Sequence, residues 1–160
     1  MALTRRACVG LALAMCAWPA TAAEPDSVTY LLGGAVSGPY RVSADLDAAV
    51  ASEAKPPPGR RGDGARLDPA AMPATSSRAI SPAAVARIRS LAAAMWQEGA
   101  YVPNATCKPS IDALWRFRIV QSGAARVFDV PAACANPNAR ALQRALVCGV
   151  NPAAGDCPQE

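Results

Sequence analysis

Apolar and polar residues alternate most regularly between residues 113 and 130 of this 160-residue chain. The large apolar residues of the first half occupy every second position and arginines separate them: Trp115, Phe117 and Ile119 alternate with Arg116 and Arg118. A period of two is that of a strand with one buried face. A turn centred on Ser122-Gly123 then returns the chain as a second strand over residues 125–130. We therefore predict a β-hairpin.

Two features agree on one register for this hairpin. With a two-residue loop, three pairs come opposite each other: Phe117 with Phe128, Trp115 with Val130, and Arg116 with Asp129. The apolar residues of both strands then share one face, and two opposite charges meet on the other. A shift of one residue turns the rings into water, so we expect this register.

A second hairpin is predicted over residues 27–46. Apolar residues again alternate on both of its strands: Val28, Tyr30 and Leu32, then Tyr40, Val42 and Ala44. Gly33-Gly34 and Gly38-Pro39 bracket the turn region between them, and glycine suits the backbone geometry of turns.

Capping residues and apolar residues at helical spacing predict two helices. Ser81-Pro82 opens the first, which Gly99 closes, and its apolar stripe has helical spacing: Val85, Ile88, Leu91, Ala92, Met95 and Trp96. Asn136-Pro137 opens a shorter helix that runs to Cys148-Gly149. Residues 51–80 are rich in proline, glycine and alanine and have no apolar period, so we expect a disordered insertion there.

Residues 1–22 have the succession typical of a cleavable signal peptide: Arg5-Arg6, an apolar run and small residues at Ala20-Thr21-Ala22. The apolar run is shorter than the roughly 20 residues that a membrane-spanning helix needs. Met15 stands where a lipoprotein signal has a small residue, so a lipid anchor on Cys16 is not expected. The protein is predicted to be exported, either to the periplasm or out of the cell.

Four cysteines remain after the signal peptide is removed: Cys107, Cys134, Cys148 and Cys157. An even number in an oxidising compartment predicts two disulfides. The second helix, on the order of 16 Å long at 1.5 Å per residue, separates Cys134 from Cys148 and excludes that bond. We favour Cys107 with Cys134 and Cys148 with Cys157. The alternative, Cys107 with Cys148 and Cys134 with Cys157, stays open.

Composition narrows the possible chemistry. The chain has no histidine, which excludes histidine-activated nucleophiles and histidine-bound metals. Its net charge of +4 becomes about +2 when the two signal arginines leave, so no nucleic-acid partner is expected. Asp45 and Asp47 form a close acidic pair, but solvated acids are common at a strand end. We predict a protein that is not an enzyme and uses no metal or cofactor.

These elements predict one α+β domain. Residues 1–22 are the signal, 23–50 the first hairpin, 51–80 the disordered insertion, and 81–160 a helix, a hairpin and a second helix. The expected fold is a small antiparallel sheet of two hairpins packed against one main helix, with a short C-terminal helix and two disulfides.

The order of these elements, with Leu32-Gly33-Gly34 near the start, resembles the emfourin-type small inhibitors of thermolysin-like metalloproteases. The resemblance covers residues 27–50 and 81–148, and the signal peptide, the cysteines and the insertion depart from it. It implies a non-enzymatic protein that acts by contact with another protein, in this case a protease, and the signal peptide implies that the protein is exported. The alternative is a periplasmic protein of the envelope or of the immunity type. The sequence identifies no inhibitory residue.

Overall fold

The computed structural model describes residues 23–33, 39–56, 72–102, 114–154 and 157. Six strands form one antiparallel sheet in the order β4-β3-β2-β1-β5-β6. Their bounds are β1 Pro25–Gly33, β2 Tyr40–Asp45, β3 Val50–Ala54, β4 Ser76–Ala79, β5 Leu114–Gln121 and β6 Ala124–Pro131. Two α-helices, α1 (Pro82–Glu98) and α2 (Pro137–Val150), complete the described fold with a 3-10 turn at Ala132–Cys134. The α+β class is confirmed.

The hairpin of β5 and β6 has the predicted register. Phe117 lies opposite Phe128, Trp115 opposite Val130 and Arg116 opposite Asp129. The two turn residues both have positive φ angles, 49° at Ser122 and 77° at Gly123, as a type I′ turn requires. Glycine adopts such an angle without steric cost. The local sequence therefore determines both the turn and the pairing.

The first predicted hairpin is also present, and it lies at the centre of the sheet. β1 pairs with β2, where Tyr30 faces Val42, and on its other side with β5, where Tyr30 faces Phe117. Residues 34–38 of the predicted turn lie outside the described residues. Because β1 is paired on both sides, its buried face contacts side chains from both hairpins.

Two strands lie within the stretch that was predicted to be disordered, and this part of the prediction is wrong. β3 begins directly after a turn at residues 46–49, which the Asp45 carboxylate stabilises by accepting from the N–H groups of Asp47 at 3.1 Å and Ala48 at 2.8 Å. β4 then pairs with β3. Both strands are built from small and polar residues, and they form because β2 offers an edge to pair with. Residues 57–71 of the same stretch lie outside the described residues.

One hydrophobic cluster joins the sheet to both helices. On the β5 side it consists of aromatic rings, with Tyr30 5.2 Å from Phe117 and 5.9 Å from Trp115 between ring centroids. On the β3 side Ala44 and Ala51 are almost fully buried beneath α2. The cluster therefore has a bulky half and a small-residue half.

Both helices begin as predicted. The Ser81 hydroxyl accepts from the N–H of Ala84 at 3.2 Å, and the Asn136 side chain accepts from the N–H of Ala139 at 2.8 Å. α1 ends at Gly99, whose φ is 82°. The sheet packs against more than the one helix predicted, because α2 contacts β2, β3 and β4 while α1 contacts β1 and α2.

Cys148 and Cys157 form a disulfide, as favoured from the sequence. The alternative pairing is therefore excluded. Cys134 is also disulfide-bonded, and Cys107, the partner predicted for it, lies outside the described residues. That second pairing stays a prediction, as does the signal peptide, whose 22 residues also lie outside the described part.

Candidate functional site

The outer edge of β6 is one of the two ends of the sheet, and it is eight residues long. Along two antiparallel strands, successive pairs of opposite residues are alternately hydrogen-bonded and non-hydrogen-bonded. In a hairpin with a two-residue loop, the residues flanking the loop, Gln121 and Ala124, form a hydrogen-bonded pair. Ala125, Val127 and Asp129 therefore belong to non-hydrogen-bonded pairs, and their N–H and C=O groups point away from β5.

No hydrogen bond joins these outward groups to another part of the described chain. The side chains of the same three residues lie on the sheet face away from the helices, since side chains alternate along a strand. Val127 is 55 % exposed there, and Leu114 on the neighbouring strand is 40 % exposed. Backbone donors and acceptors thus lie beside exposed apolar side chains.

Charge on this face is limited to a few groups. Arg116 and Asp129 form a bidentate pair across β5 and β6, at 2.6 Å for Nε to Oδ1 and 2.8 Å for Nη2 to Oδ2. The hydrogen bonds from Arg116 hold the pKa of Asp129 below its usual value. Arg118 lies opposite Val127, is exposed and has no ion-pair partner among the described residues. We call the exposed edge of β6 together with Val127, Leu114 and Arg118 the hairpin surface.

The opposite face of β6 is held against the first helix. The Arg126 guanidinium lies 5.3 Å from the ring centroid of Trp96 and 5.2 Å from that of Phe128, and it also donates to the carbonyl of Trp96. These contacts fix the edge strand to α1. A partner that bound here would meet a strand already in its bound conformation, which lowers the entropic cost of binding.

The sequence prediction did not identify these residues. The predicted hairpin register does contain a signal for them, because it places Val127 opposite Arg118 on the polar face of the strand. An exposed valine gains interest only where its strand ends a sheet, because the backbone groups beside it are then open to another strand. Whether β6 ends the sheet, however, depends on the strand order.

Asp45 and Asp47 have structural partners. Asp45 caps the turn before β3, and Asp47 accepts from Arg89 Nη2 at 2.7 Å. Within the described ranges, no group of three or more histidine, cysteine, aspartate or glutamate residues is placed to hold a metal ion. None of the helices that the structure describes combines the length and apolar character needed to cross a membrane.

No protein-family model, curated protein or solved structure matches this chain. The resemblance to emfourin-type inhibitors therefore stays a prediction from the sequence.

Proposed function

We propose that the mature protein is an exported, non-enzymatic binding protein that acts by contact with another protein, and that an extended segment of this partner pairs with β6. The observation that carries the proposal is the row of outward N–H and C=O groups on Ala125, Val127 and Asp129, which have no partner among the described residues. Pairing of an added strand with a sheet edge is a recurrent mode of peptide recognition.

The side chains around the edge suggest the chemistry of that segment. In this mode the main-chain hydrogen bonds supply affinity, and alternate side chains supply specificity. Val127 offers an apolar contact, and Arg118, directly opposite it in the register, offers a charge with no partner in the described part of the chain. A segment that alternates apolar and acidic residues fits this surface.

The specific form of the proposal is inhibition of a secreted metalloprotease. It is supported by the resemblance to emfourin-type inhibitors and by the signal expected at residues 1–22. The disulfide between Cys148 and Cys157 is compatible with export to an oxidising compartment. An inhibitor needs no catalytic group of its own.

The edge can be tested with a pair of variants at one position. Val127→Pro removes an outward N–H and places the proline ring where an added strand would lie, while the hydrogen bonds between β5 and β6 are kept. Val127→Ile keeps both the N–H and an apolar, β-branched side chain. Ala125→Pro repeats the test at a second outward position, in case Val127→Pro lowers the melting temperature strongly.

Thermolysin is a suitable probe, and the rate at which it cleaves a fluorogenic peptide is measured with increasing protein. We expect inhibition by the wild type and by Val127→Ile, and its loss in the folded proline variants. No inhibition at a large molar excess contradicts the inhibitor form of the proposal. Inhibition by both proline variants equal to that of the wild type contradicts the edge as the contact site. A wild type that dimerises through this edge, with monomeric proline variants, identifies a second copy as the occupant and contradicts the partner proposal.

A further inference from the structure

A cavity of about 490 Å³ lies at the other edge of the sheet, where β4, the start of α1 and the end of α2 meet. One arginine from each of these three elements lines it: Arg78, Arg87 and Arg144. We call this cavity the arginine pocket. Its volume falls in the range of about 300–1,000 Å³ that is typical of small-molecule sites.

The local structure explains why each arginine faces the cavity. Arg78 lies opposite the buried Ala51 in the sheet register, so its side chain is on the helix side of β4. Arg87 follows Ala83 and Ala84 at helical spacing on α1, and both alanines line the same cavity. Arg144 lies one turn before Cys148 on α2. The three positions are separate in sequence and meet only in the fold.

The walls between the arginines are mostly apolar. Ile80 and Ala84 form one side, and Ala145 with the Cys148–Cys157 disulfide forms the other, next to Pro152. The disulfide ties Cys157 back to α2 and so fixes this second wall. A few charged groups above an apolar wall are the usual composition of a site for a small organic ligand.

The charges of the pocket are uncompensated within the part of the chain that the structure describes. Five of the nine described arginines have partners for their guanidinium groups: Arg41, Arg89, Arg116, Arg126 and Arg140. Four have neither an ion pair nor a hydrogen bond there: the three of the arginine pocket and Arg118. No acidic residue is among the described residues that line the cavity. Like charges around a concave apolar wall concentrate a positive potential that attracts anions.

We propose that the arginine pocket binds a small organic anion, namely a carboxylate or a phosphate monoester attached to a compact apolar body. Guanidinium groups donate paired hydrogen bonds that match the oxygens of either anion. Ile80 and the alanines contact the apolar body. Because the cavity borders β4 and the proposed protein contact is at β6, this inference does not depend on the proposed function.

A series of three probes with one apolar body separates charge from shape. The probes are 2-naphthyl phosphate, 2-naphthoate and the neutral 2-naphthylmethanol, and each is titrated into the mature protein by isothermal titration calorimetry. We expect the affinity to fall in that order, with the phosphate bound at least about tenfold more tightly than the alcohol, a difference of about 1.4 kcal/mol. Binding of the phosphate should weaken as salt is raised.

Variants locate the binding. Arg78→Gln, Arg87→Gln and Arg144→Gln should each weaken the phosphate probe by roughly three- to tenfold, the range for charge pairs that stay partly exposed. Arg118→Gln is the matched control, because it removes the same charge from an exposed arginine on the other face of the sheet. Ala83→Phe, at an exposed lining position, should block all three probes without lowering the melting temperature appreciably.

The site is supported if the three pocket variants, but not Arg118→Gln, bind the phosphate probe more weakly, and if the affinities of the three probes follow their charge. Failure of every probe to bind at millimolar concentration overturns it, as does equal binding of the alcohol and the phosphate. If Arg118→Gln weakens binding of the phosphate probe as much as the pocket variants do, the probe is attracted by the net charge of the protein. That result also overturns the site. Thermolysin inhibition is measured in parallel and should be unchanged in the pocket variants.

Discussion

The two edges of the sheet differ in what they present to solvent. β6 is eight residues long, is held by Arg126 against α1 and leaves outward backbone groups without partners among the described residues. β4 has four residues, all exposed, and its helix side opens into a cavity lined by arginines. Both strands end the sheet, but β6 has Val127 and Arg118 beside its outward backbone groups, whereas β4 borders a cavity that three arginines line. The two edges of this small sheet therefore expose different groups, and mutations can separate the two sites proposed at them.

The two halves of the hydrophobic core also differ. Rings from Tyr30, Trp115 and Phe117 fill the half beneath β5, where each touches the others at centroid distances of 5.2 to 6.2 Å. In the other half Gly149 of α2 comes so close to β3 that an added Cβ would lie 3.5 Å from that of Ala51. Large side chains therefore fill the half of the core near β5, and small residues allow α2 to approach the sheet near β3.

The largest effect is expected from the ring cluster. Phe117 is fully buried, so Phe117→Ala should lower the free energy of unfolding by about 3–5 kcal/mol. Val127→Ala, on the same hairpin but largely exposed, should change it by less than about 0.5 kcal/mol. Urea denaturation followed by circular dichroism measures both. A loss below about 1 kcal/mol for Phe117→Ala would show that the rings do not hold this half.

The disulfide beside the arginine pocket gives the next largest effect. Its cysteines are nine residues apart, so replacing both by serine should cost about 2–3 kcal/mol through the restored freedom of the unfolded chain. Thermal melting of the double variant against the wild type measures the loss. Reductant should lower the melting temperature of the wild type more than that of the variant, which keeps the disulfide of Cys134. Equal melting of the two proteins in the absence of reductant would contradict the prediction.

The size of the residues decides how well the sequence predicts each half of the sheet. Trp115, Phe117 and Phe128 give a strong period of two, and the Ser122-Gly123 turn fixes their register, so the hairpin is predictable pair by pair. Apart from Val50, the residues of β3 and β4 are alanines, serines and single charges, which carry little apolar signal. At Ala51 the small side chain fits the close approach of α2, a tertiary contact that no local pattern reveals.

The two proposed sites differ in the same way. Val127 follows from the hairpin register once β6 is known to end the sheet. Arg78, Arg87 and Arg144 are spread over β4, α1 and α2, and their spacing has no period. Only the fold brings them to one cavity. The helix ends, by contrast, were predictable because Ser81 and Asn136 act on backbone groups three residues away.

A third prediction tests the close approach at Gly149. The Cβ of Gly149→Ala would lie 3.4 Å from Ile80 Cγ2, an ordinary contact, and alanine favours helix by up to about 1 kcal/mol. We therefore expect this variant to be neutral or slightly more stable. Gly149→Val adds branches that the gap cannot hold and should cost about 1–3 kcal/mol. Chemical denaturation compares the pair, and equal stability of the two variants would show that α2 has room to move.

The smallest effect concerns the ion pair on the hairpin surface. Arg116 and Asp129 are 51 % and 43 % exposed, so a double-mutant cycle with Arg116→Gln and Asp129→Asn should give a coupling of only about 0.2–1 kcal/mol. Arg116 lowers the pKa of Asp129 in the folded protein, so folding is favoured by the ionised carboxylate. This contribution is present above the unfolded pKa of about 4 and is lost as the pH falls through the lower folded value.

Denaturation at pH 7 and at pH 2 measures the change. The stability difference between the wild type and Asp129→Asn should shrink at the lower pH, whereas Arg118→Gln, which removes an arginine without a partner in the described chain, should show no such dependence. A coupling that stays constant between the two pH values would mean that the contact between Arg116 and Asp129 acts through packing and not through charge.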